Sequence, residues 1–437
     1  MVMPSSVFRP ELLSPAGSLK NMRYAFAYGA DAVYAGQPRY SLRVRNNEFD
    51  HANLAQGIGE AHALGKRFYV VVNIAPHNAK LKTFLDDLQP VIDMAPDALI
   101  MSDPGLIMLV RGRYPQVPIH LSVQANAVNC ASVAFWQGQG LTRVILSREL
   151  SLVEIEEIRA QVPDMELEVF VHGALCMAYS GRCLLSGYLN RRDPNQGACT
   201  NACRWQYDVK AAGENELGEI VHQVQPTLGI GAPSEQVFLL DDGDGQMPMF
   251  EDEHGTYIMN SRDLRAVQHV EQLVKMGVHS LKIEGRTKSH FYCARTAQVY
   301  RQAIDDAVAG RPFDRGLMDS LESLAHRGYT EGFLRRHVHD EYQNYQHGSS
   351  HAERQQFVGE LTGERRGELA EVRVKNRFAV GDGMELMTPN GNLRFTLERL
   401  QNRAWETIAV APGDGHVVYL PVPAGVELQF ALLMRDV

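Results

Sequence analysis

Short apolar runs alternate with amphipathic stretches of helical length along the first 310 residues. The runs are ELLSPA (11–16), DAVYAG (31–36), RFYVVVN (67–73), DALIMSD (97–103), IHLSVQ (119–124), RVILS (143–147), LEVFVHG (167–173) and SLKIEGR (280–286). Between most of them lie segments whose apolar positions suit one helix face, at 17–29, 51–65, 80–94, 128–139, 149–161 and 261–277. The unit GADAVYAG reads as a helix ended near Gly29 and then a strand, and MAPDALIMSD repeats that order. Such alternation predicts parallel strands joined by crossover helices, and eight runs predict an α/β fold with a (β/α)8 TIM-barrel-like domain over residues 1–310. TYIMN (256–260) is a ninth strand candidate, and a doubly wound sheet is the alternative architecture.

Residues 213–250 are rich in Gly, Pro, Asp and Glu without a clear period and read as a loop insertion. Residues 288–309 read as a closing helix, and residues 311–356 as a polar helical linker. From Phe357 the pattern changes to strands, predicting a small all-β barrel or sandwich domain over 357–437 with a hairpin turn at Asn390-Gly391.

A barrel places its active site where the strands end. Here those ends carry Ser14, Gln37, Asn73, Asp103, Gln124, Asn126, Ser147, Arg148, His172, Glu284 and Arg286, polar residues directly after apolar runs. The chain has 437 residues, 45% of them hydrophobic, enough for a large domain and a smaller one. A net charge of −9 excludes a globally basic nucleic-acid binder, so an RNA partner would have to meet a local basic patch. The N-terminal residues MVMPSSVFRPELLSPAG lack the apolar core of a signal peptide, and no apolar stretch approaches the roughly 20 residues a membrane helix needs. A cytoplasmic location is the resulting expectation, and there clustered cysteines are metal ligands more often than disulfides.

Four cysteines fall within one 28-residue window: Cys176, Cys183, Cys199 and Cys203. Cys176 and Cys183 are seven apart and Cys199 and Cys203 four apart, so helical backbone would put each pair on one face. The DPNQG segment between the pairs can turn the chain back. Four converging thiolates bind an iron–sulfur cluster or structural zinc, and the wide first spacing favours the cluster. The window follows the seventh strand directly, so the metal is expected at the catalytic face. His172 reads as a core residue or a hydrogen-bond donor to sulfur, and Cys130 and Cys293 read as core residues.

Arg182, Arg191, Arg192 and Arg204 flank the cysteines, with Tyr179, Tyr188 and Trp205 among them, and suit phosphate contact and base stacking as well as a solvated loop. Residues 326–347 have the same character. Lys282, Glu284 and Arg286 are spaced two apart and predict a shared strand face; inward charges there suit binding of a small anion. Arg43 and Arg45 are further candidates. FEDEHG (250–255) reads as a loop, and the chain holds no HExxH, GxSxG, P-loop or GxGxxG motif.

EVFVHGALCMAYSGRCLLS (168–186) resembles the signature of the collagenase-like peptidases, the unassigned peptidase family thirty-two, at Glu168, Phe170, Gly173, Cys176, Gly181, Cys183 and Ser186. ELLSPAG, GADAVYAG, SVQANAVN and SLKIEGR are also family-like, and the resemblance extends over nearly the whole chain. Despite the peptidase name, the resemblance implies hydroxylation of RNA or of quinone precursors with a 4Fe-4S cluster on four cysteines. RYSLRVRNNEF, NIAPHNAKLKTF and RDPNQGACTNACRW are similar to a branch implicated in forming 5-hydroxyuridine at the wobble position of tRNA, with prephenate required. Carried over by position, the cluster ligands are Cys176, Cys183, Cys199 and Cys203. Prephenate is a dicarboxylate, which makes Arg43, Lys282 and Arg286 candidate clamps, with Arg191, Arg192 and Arg204 as further substrate-binding candidates. No catalytic group is assigned; Glu168, His172 and Glu284 are the candidates. A metal-dependent peptidase, or a non-catalytic protein with structural zinc, is the alternative.

Overall fold

A computed structural model describes residues 8–42, 48–175, 262–326, 328–335 and 355–437, positions 179, 182, 183, 193 and 195, and the backbone of five strands between 208 and 256. Seven parallel strands come first: β1 (Glu11–Pro15), β2 (Ala32–Gly36), β3 (Arg67–Val72), β4 (Ala98–Met101), β5 (Ile119–Leu121), β6 (Arg143–Ile145) and β7 (Glu166–Ala174). Each is an apolar run buried along nearly its whole length, as a sheet covered on both faces requires. The crossover helices are α1 (Leu19–Ala27), α2 (His51–Ala63), α3 (Asn78–Leu81), α4 (Phe84–Asp93), α5 (Pro104–Arg113), α6 (Cys130–Gly138) and α7 (Leu152–Gln161). Ser18, Asp50, Asp103, Asn129 and Ser151 cap five of these, each accepting a first-turn N–H. Asp103, a polar strand end in the sequence, is therefore a helix cap.

Five strands then leave the barrel: β8 (Asp208–Glu214), β9 (Ile220–His222), β10 (Gln236–Asp241), β11 (Gln246–Asp252) and β12 (Gly255–Thr256). They pair antiparallel in the order β12-β11-β10-β8-β9. The expected loop over 213–250 is thus a sheet, and FEDEHG lies mostly in its strands. Its composition, rich in Gly, Pro, Asp and Glu, masks the short β-favouring runs in the sequence. The ninth strand candidate contributes only Thr256, which ends β12 outside the barrel; residues 257–260 lie outside the described residues.

The segment 261–277, expected to be helical throughout, opens with β13 (Asp263–Arg265), antiparallel to β7, before α8 (Val270–Met276). β14 (Ser280–Ile283) pairs with both β1 and β7 and closes eight parallel strands into a barrel. The long α9 (His290–Val308), capped by Ser289, covers the seam. The stretch 311–356 is only partly helical. It holds α10 (Gly316–Glu322), then β15 (Tyr329–Thr330), which joins the open edge of β13, and a 3-10 turn at Gly332–Arg335; residues 336–354 lie outside the described residues. An available sheet edge outweighs weak local helix preference there. Among the described residues no helix is long and apolar enough to cross a membrane.

The remaining strands are β16 (Gln355–Arg366), β17 (Leu369–Val374), β18 (Phe378–Ala379), β19 (Gly383–Thr388), β20 (Gly391–Thr396), β21 (Val410–Ala411), β22 (Val417–Pro421) and β23 (Leu432–Asp436). Six form an antiparallel sheet in the order β20-β19-β23-β16-β17-β22, around a separate core that includes Val358, Val372, Phe378, Leu386 and Leu433. Thr388 pairs with Gly391, so the predicted hairpin turns on Pro389 and Asn390, and Gly391 begins the next strand.

This β unit docks on α1 and α9. Met387, Leu432 and Met434 join the barrel's apolar core, and Tyr28 Oη donates to the carbonyls of Met387 and Phe430 at 3.0 Å. Arg295 donates to Glu385 at 2.8 Å with both side chains nearly inaccessible. Arg295→Ala would leave Glu385 buried beside weaker partners. It is expected to cost on the order of 3 kcal/mol, read as a lower urea midpoint.

Candidate functional site

The barrel lumen is charged from its floor upward. Glu11, Arg143, Glu166 and Ser280 open their strands at the N-terminal end. Arg143 donates to Glu11 at 2.6 Å, to Glu166 at 2.8 Å and to Glu168 at 3.2 Å. Tyr69 Oη and Ser280 Oγ donate to the Glu11 carboxylate as well, at 2.7 and 3.2 Å. One layer higher, Lys282 Nζ donates to Glu168 Oε1 at 2.7 Å, and Glu168 is 0% exposed. Burial alone would raise the Glu168 carboxyl, but Lys282 and Arg143 hold it below the usual carboxylate value. His120 stands edge-on to Tyr69, and burial pushes its imidazole well below the ordinary value, so it is neutral beside these cations. Apart from Lys282 and Glu168, this network escaped sequence reasoning. Its signal was present: Glu166 and Glu168 sit two apart in a run otherwise apolar, as the inward face of a buried strand would show.

Two rings roof the network. Lys282 Nζ lies 4.1 Å from the centre of the Tyr34 ring and 5.6 Å from that of Phe170. Above them is the C-terminal mouth. The Arg148 guanidinium stacks 3.9 Å from the Phe170 ring centre and donates to Glu284 at 3.3 Å. Tyr34 Oη donates to the Ile283 carbonyl at 2.9 Å. Buried Arg286 donates to Ser41 Oγ at 2.7 Å. Asn73 donates to Gln124 at 2.9 Å and accepts from the Leu42 N–H at 3.2 Å, while Gln37 accepts from the Tyr40 N–H. The polar strand ends Gln37, Asn73, Gln124 and Arg148 thus line one rim, and its cations and amides suit an anionic, oxygen-rich ligand.

Lys282, Glu284 and Arg286 do not share one strand. β14 ends at Ile283, and Gly285 adopts φ +153°, where a Cβ would stand 2.5 Å from the Tyr292 ring. Lys282 therefore faces Glu168 inside the lumen, Glu284 faces Arg148, and Arg286 turns to Ser41. His172, a catalytic candidate, lies outside the lumen against Tyr292, Tyr300 and Tyr329. Burial pushes its imidazole down to about 3, so it is neutral at physiological pH, and its Nδ1 sits 3.3 Å from the Tyr300 hydroxyl. The geometry fits the core reading of His172. Glu168 is engaged by two cations beneath the roof, which leaves Glu284 as the candidate carboxylate at the mouth.

Of the four clustered cysteines, Cys183 is among the described residues; Cys176, Cys199 and Cys203 are not, nor are Arg43, Arg191, Arg192 and Arg204. The Cys183 carbonyl accepts from Asn195 Nδ2 at 3.1 Å, and the Asn195 carbonyl accepts from the Ala75 N–H at 3.0 Å. Ala75 follows β3, so this chain of bonds ties the Cys183 backbone to the mouth. β7 ends at Ala174, two residues before Cys176, so the strand delivers the cysteine segment to the same end of the barrel. Cys293 is buried with its thiol pushed up to about 12, and Cys130 opens α6 partly packed on the core, as expected of core cysteines.

Two family models match the chain: Peptidase family U32 over residues 17–344 and the Peptidase family U32 C-terminal domain over 353–435. Among curated proteins, a tRNA hydroxylation protein P of Escherichia coli (strain K12) is 72% identical, covering 98% of this chain and 97% of its own. One from Haemophilus influenzae is 70% identical, covering 98% and 96%. A solved U32 peptidase is 14% identical over 39% of this chain and 72% of its own, with a TM-score of 0.33.

Proposed function

The chain belongs to Peptidase family U32, and on that premise we propose that it is a tRNA-hydroxylating enzyme rather than a peptidase. In this reading it forms 5-hydroxyuridine at the wobble position, uses prephenate as co-substrate and carries a 4Fe-4S cluster. The observation that carries the reading is near-full-length likeness, at 72% identity, to a protein named for tRNA hydroxylation. A wobble uridine lies in a single-stranded loop, so leaving its stack for a barrel mouth costs little.

The donor set suits the cluster. Four soft thiolates in one segment match iron–sulfur ligation, and the Cys183 backbone is anchored at the mouth through Asn195. Cys176, Cys183, Cys199 and Cys203 would hold it, and it would supply electron transfer or polarise an oxygen-bearing small molecule. The chain's own rim does the remaining work. Arg148 and Arg286 offer guanidinium forks for carboxylates, Asn73 and Gln124 offer amides, and Glu284 stands where a proton could be accepted. Tyr34 and Phe170 wall this chemistry off from the charges below.

The test is nucleoside mass spectrometry of tRNA from cells lacking the gene. Wobble 5-hydroxyuridine is expected to fall by more than about 90% and to return on complementation, and unchanged levels overturn the reading. Anaerobic purification with iron, sulfide and zinc assays separates a cluster from structural zinc.

A further inference from the structure

A cavity of about 490 Å³ opens beside the mouth, between the loop after β1 and the loop after β14. The cationic residues Lys20, Arg286 and Lys288 are among those that line it, together with Glu48 and His290. The two loops are fixed to each other. Asn21 Nδ2 donates to the Lys288 carbonyl at 2.9 Å, and Gly17 is so close to Arg286 that a Cβ would stand 2.1 Å from its carbonyl oxygen. α1 and α9, of 9 and 19 residues, begin at the cavity with caps Ser18 and Ser289, so two helix N-termini add positive potential to the cations. The β unit braces one wall. Glu360 accepts from Lys20 at 2.6 Å, and its carboxylate lies 2.9 Å from His290 Nε2; burial opposes its charge, but these neighbours hold its pKa at about 2.

We propose that this cavity is an oxyanion subsite that takes a phosphodiester of the bound RNA next to the reacting nucleotide. The assignment rests on the tRNA reading above. One feature favours a phosphodiester over a free dicarboxylate. The cavity runs from Arg286 at the lumen rim to Lys20 and His290 beside Glu360 of the β unit, the course expected of a strand whose base enters the mouth. The small dicarboxylate is left to the rim at Arg148 and the lumen side of Arg286.

The experiment uses the anaerobically purified full chain and host tRNA, titrated by fluorescence anisotropy over a series of salt concentrations. The variants are Lys288→Ala and Thr287→Glu, the second on the exposed rim of the cavity. Each is expected to weaken binding about tenfold. Lys288→Ala should also lower the slope of log affinity against log salt by about 1. Iron content and melting temperature should match the parent. Affinity and slope unchanged in both variants overturn the subsite. A prephenate-induced rise in melting temperature is expected to be equal in parent and variants; its loss with tRNA binding intact reassigns the cavity to the dicarboxylate and overturns the phosphodiester. A parent chain that binds no tRNA sinks the underlying reading instead, and that result is visible before any variant is made.

Discussion

Cys183→Ser is expected to abolish wobble hydroxylation, at least about 100-fold below the parent in a complementation assay, and to strip most of the iron from the purified chain. Serine keeps the size of the side chain but not its chemistry. A hydroxyl does not ionise near neutral pH and is a hard donor, whereas iron–sulfur clusters are held by thiolates. The main-chain anchor is untouched, because Asn195 binds the carbonyl of residue 183 and not its side chain. Loss of activity is therefore expected without loss of the barrel, so the far-ultraviolet dichroism should be unchanged. Cys130→Ser and Cys293→Ser are the controls. Both lie on helices packed against the barrel core and should retain iron. Cys183→Ser protein that keeps its iron and its product removes the thiol from the ligand set. A parent chain that holds zinc and no sulfide removes the cluster altogether.

Those anchoring bonds show how far sequence reasoning reaches. Eight strands were legible because each is an apolar run of β-favouring residues set off by a capped helix, and burial on both faces leaves such runs nearly continuous. The mouth was legible for the same reason, since polar residues such as Asn73 and Arg148 stand where those runs stop. The short strands outside that repeating unit were not. β13 and β15 are too short to show a period, and they exist because each supplies the other with a ladder partner beside β7. The sheet of β8 to β12 was hidden by its Gly- and Asp-rich connections. Spacing misled at Lys282, Glu284 and Arg286: the strand ends at Ile283 after a register shift beside Lys282, so its alternation does not run on to Glu284 and Arg286. Partner choice inside the lumen depends on which strands become neighbours on closure, and residues as distant as Glu11 and Arg143 meet only then.

That closure makes the lumen network the largest expected stability effect in the chain. Glu168→Gln removes the one carboxylate shared by Lys282 and Arg143, where both Glu168 and Lys282 are buried from solvent. Arg143 keeps Glu11 and Glu166, but Lys282 loses its ion-pair partner. Removing one member of such a pair costs about 3–5 kcal/mol, because the remaining charge stays buried. The sign of the pH dependence follows from the carboxyl's lowered folded value. A group lowered on folding adds stability that is complete above its unfolded value near 4.5 and is lost as pH falls through the folded value. The gap between parent and Glu168→Gln in urea titrations should accordingly stay constant from about pH 8 to 6 and close below about 4.5. Adding Lys282→Met to Glu168→Gln should recover much of the loss, since an apolar side chain of similar length needs no counter-charge there. A double variant as unstable as the single one would show that Glu168 acts through some partner other than Lys282. In the stable double variant, wobble hydroxylation should persist, because the roof of Tyr34 and Phe170 separates these charges from the mouth. A folded double variant that makes no product would instead place Glu168 in the chemistry, alongside Glu284.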